Sequence, residues 1–193
     1  MKRFVYLLVA CLFMTAGTAW GQGDLTKEQE KAAKKEAKKK EKALQEAEEM
    51  AMFEEAVDAL NAQNFVLEAD RVEFKRGEFL YVTANTNFVS LVDGRATIQL
   101  TLNGPAPGPN GIGGITVEGI PSNIKMSTSK KGDVTFSMMV QGVGVSASVF
   151  ITLPKGTAKC TATVSPNFNS NRMSFTGTLY PSSKSEVYKG RVL

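Results

Sequence analysis

The chain reads as a mainly β protein: a small antiparallel β-barrel or strongly coiled sandwich, preceded by one long charged α-helix. Three observations predict it. First, 14 of the 17 glycines and all 7 prolines lie beyond Arg76, whereas Leu25 to Arg76 contains neither residue. Second, apolar and polar residues alternate at strand spacing beyond Gln63, with Ile98, Leu100 and Leu102 on one face, then Val134, Phe136, Met138 and Val140, then Val145, Ala147, Val149, Ile151 and Leu153, then Met173, Phe175 and Leu179. Third, Asp93-Gly94, Lys131-Gly132 and Lys155-Gly156 each put glycine where a tight hairpin needs positive φ, which favours a meander over crossovers. Roughly eight to ten short strands with one apolar and one wet face make a closed barrel or coiled sandwich.

The first 21 residues are expected to be an export signal. Lys2 and Arg3 form a basic start, Phe4 to Met14 is an apolar run too short to span a bilayer as a helix, and Ala19 and Gly21 supply the small residues of a cleavage site after Gly21. A rival reading takes Leu8-Val9-Ala10-Cys11 as a lipobox with Cys11 acylated. Cutting there would strand Leu12, Phe13, Met14 and Trp20 in the mature chain, so the anatomy favours a periplasmic or secreted protein over a lipoprotein.

Residues 22–63 form the expected helical arm. Residues 27–42 hold eight lysines and four glutamates, and residues 46–58 hold six acids and no base. Thr26 and Gln29 have capping-box spacing, which predicts a helix from about Lys27 to Ala62. Its first half has only alanine as apolar content and is expected to stand in solvent, supported by pairs such as Glu30/Lys34 and Glu36/Lys40. Its second half carries the stripe Met50, Phe53, Val57 and Leu60, which should pack on the body. The lysine run is first of all a solvated face; contact with an anionic membrane surface or pairing with another copy are the functional alternatives. With acids interleaved and no aromatics in the run, a nucleic-acid partner is not expected.

The body, residues 64–193, is expected to contain strands at 65–75, 79–84, 87–92, 95–103, 114–119, 122–128, 134–141, 143–153, 158–165 and 172–179, several of them halves of longer bent strands. The apolar parity slips from Phe65 and Leu67 to Val72 and Phe74, which predicts a bulge near Asp70 and Arg71. Cys160 shares a strand face with Ala158, Ala162 and Val164 and is expected to be a buried structural thiol.

Four stretches carry a family likeness. These are Asn85-Thr86-Asn87-Phe88-Val89-Ser90, the run from Gly108 to Gly119, Val140-Gln141-Gly142-Val143-Gly144-Val145, and Val164 to Arg172, together with Pro181-Ser182-Ser183-Lys184-Ser185. In them the chain resembles an exported family of Bacteroides-type bacteria known as a domain of unknown function. The resemblance covers roughly Phe65 to the C-terminus. It implies a small lipocalin-like β-barrel behind an N-terminal helix, and it brings no catalytic residues with it.

The composition argues against chemistry. With no histidine and two cysteines, the usual acid/base and His/Cys metal sites are out of reach, and no cofactor is expected. Gly111, Gly113, Gly114 and Gly119 lack the following helix that a phosphate-binding loop requires. Glu68 and Asp70 could form an acid pair, but nothing around them marks a cleft or a calcium loop. A non-enzymatic barrel that binds a small apolar or amphipathic ligand is therefore the expected function. Phe136, Met138, Val140 and Phe175 are the candidate pocket residues, and Asn110, Asn167, Asn169 and Arg172 are the candidate mouth-loop residues. The alternative is a structural or protein-interaction module of the envelope, with a solid core and the helix as spacer or pairing element. A hydrolase comes third.

Overall fold

The computed structural model describes residues 22–102, 106, 108–143, 145–168 and 170–193, with backbone only for 22–26 and 28. The expected export signal, with its cleavage site and Cys11, lies outside the described residues, as does Asn169.

One helix, α1 (Gln22–Asn61), precedes nine strands: β1 (Phe65–Phe74), β2 (Phe79–Tyr81), β3 (Phe88–Val92), β4 (Arg95–Thr101), β5 (Gly114–Thr128), β6 (Val134–Gly142), β7 (Val145–Leu153), β8 (Lys159–Pro166) and β9 (Met173–Pro181). The helix starts at Gln22, so Thr26 lies within it rather than capping it. It stops in a Schellman arrangement. Gln63 takes φ 53°, and the N–H groups of Gln63 and Asn64 donate to the carbonyls of Leu60 and Ala59. The chain divides inside the helix, between a unit ending at Ala43 and one beginning at Leu44. In the second unit Phe53, Ala56, Ala59 and Leu60 are buried with the barrel core, which places most of the predicted stripe inward; Met50 stays partly exposed.

Consecutive strands pair antiparallel, and β1 pairs with β9 to close the ring. The broken strand β2–β3 counts once. Its two pieces take successive stretches of one edge of β1, Phe65–Glu68 beside β3 and Arg71–Glu73 beside β2, with a 3-10 turn at Ala84–Thr86 between them. The result is a closed eight-strand antiparallel barrel behind one helix. The register of β1 against β9 shifts between Ala69 and Arg71, at the predicted bulge. The candidate strands 114–119 and 122–128 are one strand bent at Ser122–Lys125, where Asn123 adopts φ 51°. Gly177 of β9 lies so close to β1 that a Cβ there would stand 1.9 Å from the Glu68 carbonyl oxygen. Only glycine fits that crossing.

The interior is filled. Phe65 of β1 and Phe136 of β6 come from opposite walls of the ring and still meet edge to face, with ring centroids 5.3 Å apart. Cys160 packs in the same core, where burial pushes its thiol pKa well up, as a structural thiol requires.

The outer face of β4 departs from the expected wet face. Thr97, Gln99 and Thr101 are buried there, as is Thr116 on β5. The C-terminal tail after Pro181 lies over Gln99 and Thr116: Tyr188 N–H donates to the Asn85 carbonyl, Arg191 N–H to that of Asn110 and Leu193 N–H to that of Thr116. Gln99 is the centre of this contact. Its amide nitrogen donates to the carbonyls of Thr86 and Tyr188 at 2.9 and 2.8 Å, and its oxygen accepts from Thr116 Oγ1 and Gly190 N–H, both at 2.8 Å. Every polar valence of a fully buried side chain is thereby met, which is the condition for burying it at all.

Candidate functional site

The helix end and the turns at 92–95, 128–134 and 153–159 occupy one end of the barrel, where Leu60, Leu91, Leu153 and Leu179 are fully buried. At the opposite end the core thins. Phe74, Val82, Leu100, Val145 and Met173 pack against the core but are only partly buried. This rim is built from the turns after β1 and β6 and the loops after β4 and β8.

The four interior candidates point inward as their parity requires. Phe136, Met138, Val140 and Phe175 are at most 2% exposed and belong to the packed core. Side chains reaching from opposite walls leave them lining a filled layer, and none of the cavities described below includes them.

The mouth-loop candidates separate. Asn110 is buried: its Oδ1 accepts from the N–H groups of Ile112 and Gly114 at 3.1 and 2.8 Å, and its Nδ2 donates to Thr116 Oγ1 at 3.2 Å. It shapes the loop from inside and presents nothing at the rim. Asn167 is exposed but pins its loop to β7, donating through Nδ2 to Ser146 Oγ at 2.8 Å. Arg172 faces a cleft.

That cleft, of about 800 Å³, lies between the β1–β2 turn and the β8–β9 loop. Phe74 and Met173 contribute its apolar lining, and Lys75, Arg76, Arg172 and Glu78 its charges, three cations against one carboxylate. Lys75 Nζ donates to Ser170 Oγ at 2.6 Å, so one cation is fixed. Arg76 and Arg172 have no ion-pair partner among the described residues. Two exposed arginines thus line one cleft, whose wall is part apolar and part polar. A separate cavity of about 460 Å³ includes Gln141, Ser146 and the exposed Phe168. On β2, Phe79 stacks beneath the Arg71 guanidinium at 4.5 Å and meets Tyr81 edge to face.

Sequence reasoning identified Arg172 but missed Lys75 and Arg76. Barrel closure brings them together: β1 pairs with β9, so the turn after β1 and the loop before β9 become neighbours at one end. A Lys-Arg-Gly turn read alone carries no such signal. Of the candidate acid pair, Glu68 accepts a hydrogen bond from Ser185 Oγ at 2.6 Å and so helps attach the tail, while Asp70 is exposed. Among the described residues no group of three or more Cys, Asp or Glu side chains could hold a metal ion, and no helix is long and apolar enough to cross a membrane.

A family model described as a domain of unknown function, DUF4251, matches residues 47–179. The crystal structure of a DUF4251 family protein from Bacteroides eggerthii superposes with a TM-score of 0.64 at 48% sequence identity, covering 77% of this chain and 99% of that one. No curated protein matches the chain.

Proposed function

Since the chain belongs to the DUF4251 family, which fixes a barrel and assigns no activity, we propose that it is an exported, non-enzymatic barrel that binds a small amphipathic anion in its rim cleft. One observation carries this reading: Arg76 and Arg172, without ion-pair partners among the described residues, set beside Phe74 and Met173 in a cleft large enough for a small ligand. The apolar floor would take the body of the ligand and the guanidinium groups its carboxylate, sulfonate or phosphate. The packing of Phe65 against Phe136 across the interior favours the rim over the barrel's inside as the place for a ligand.

A dansyl-labelled fatty acid is a suitable probe, titrated against the full chain by fluorescence. Arg76→Ala with Arg172→Ala is expected to weaken binding by about tenfold or more, the loss of a charge-assisted pair of contacts. Unchanged affinity in that double variant would sink the rim site. The same filled core and the exposed Phe79, Tyr81 and Phe168 favour a second reading, an interaction module of the envelope. Native mass spectrometry separates the two, since a co-purified small anion supports the first and a bound protein the second.

A further inference from the structure

We propose that the first half of α1 is a docking face for an anionic lipid surface. At 100° per residue, Lys27, Lys31, Lys34, Lys35, Lys38 and Lys42 fall within about 100° of arc, a stripe about 22 Å long. No carboxylate falls inside it; Glu28 and Glu41 flank it, and Glu30 and Glu36 lie farther round. These lysines are exposed. Lys40, on the far side, is the one that pairs with Glu36, at 3.2 Å. Lys31, Lys34, Lys35 and Lys38 have no ion-pair partner among the described residues, and the expected Glu30/Lys34 pair is not formed. Within residues 27–42 the four glutamates fall outside this arc, and Lys31, Lys34, Lys35 and Lys38 give it a positive face.

The chemistry of the stripe selects its partner. Residues 27–42 contain no arginine and no aromatic residue, the groups that read bases or stack on single strands. Their apolar content is Ala32, Ala33 and Ala37, too little to insert into a bilayer. A straight, one-sided row of ammonium groups fits a flat, fluid array of phosphates, held by charge alone and sensitive to salt. A second copy of the chain fits less well. The acids of residues 46–58 are scattered around the helix, and Glu55 is already held by Lys184, whose Nζ lies 2.7 Å from it. The lysine stripe also lies outside residues 47–179, so it is an addition to the family's matched region.

Co-flotation of the full chain with vesicles tests this, using phosphatidylcholine alone and phosphatidylcholine with about 30% phosphatidylglycerol. Any contribution of the apolar run Phe4–Met14 is common to both vesicle types and cancels in the comparison. The expected result is at least about tenfold preference for anionic vesicles, lost in about 0.5 M salt and in the triple variant Lys31→Glu, Lys34→Glu, Lys38→Glu. Lys40→Glu, on the far face, should keep the preference to within about twofold. Equal binding to both vesicle types overturns the proposal, as does an equal loss from Lys40→Glu and the triple variant. Tighter binding to duplex DNA than to anionic vesicles would reassign the stripe to a polymer. Self-association abolished by the triple variant, without vesicle binding, would reassign it to a second copy.

Discussion

Replacing Gln99 by leucine tests whether one buried amide holds the C-terminal tail to the barrel. The side chain is fully buried and makes four hydrogen bonds, two to the tail at Tyr188 and Gly190 and two to the barrel at Thr86 and Thr116. Each is worth about 1 kcal/mol net, so their joint loss is about 4 kcal/mol, of which the added apolar burial of leucine returns about 1. The four orphaned groups could escape a larger penalty only if the tail lifts and admits water. A net loss of about 3 kcal/mol corresponds to a Tm about 6–12 °C lower for a body of this size. Thermal and urea unfolding measure the loss, and amide exchange at Gly190, Arg191 and Leu193 reports the tail directly. A change below about 1 kcal/mol, with those amides as protected as in the parent, would refute the reasoning.

Phe136→Ala should cost about 3–5 kcal/mol, because its ring bridges the barrel interior against Phe65, and a cost near zero in denaturant melts would mean that the interior is not packed there. Gly177→Ala should lower the urea midpoint by an amount equivalent to about 2 kcal/mol or more, since the new methyl would collide with the Glu68 carbonyl. Glu118 accepts a hydrogen bond from Lys189 and, less importantly, from Arg95, and these partners hold its carboxyl below the ordinary value of 4.5 against the opposing effect of burial. A depressed folded value stabilises above the unfolded one and is lost as pH falls through the folded one. Protection of the tail amides should therefore fall as pH drops below 4.5, and Glu118→Gln should flatten that dependence.

The strands were legible because each carries its own alternation and its own turn glycines, and the bulge because a parity slip has no other meaning in a continuous strand. What local pattern cannot contain is the partner of a surface. Gln99 reads as solvent-facing because its strand has an apolar opposite face, and the tail, almost ninety residues later in the chain, helps to bury it. Asn110 looked like a mouth residue for the same reason, as asparagine in a glycine-rich loop is ordinary turn chemistry whether it faces out or in. The rim cleft needs closure of β1 on β9 before Arg76 and Arg172 share a wall. The interior candidates were placed on the correct face; whether that face encloses space depends on how far opposing side chains reach, which the contact of Phe65 with Phe136 decides.

The seam between β1 and β9 also sets an order of events. Its partners are about 100 positions or more apart, as in Phe65 with Pro181, so its loop-closure entropy comes due near the end of folding and the barrel belongs to the slow class of topologies. Until residues 173–181 are in place, β1 and β8 both present unpaired edges, and the tail has no finished wall to lie on. A chain cut short before Pro181 is therefore an edge-exposed, aggregation-prone species rather than a smaller barrel, and completion of the fold is all or nothing at its last strand.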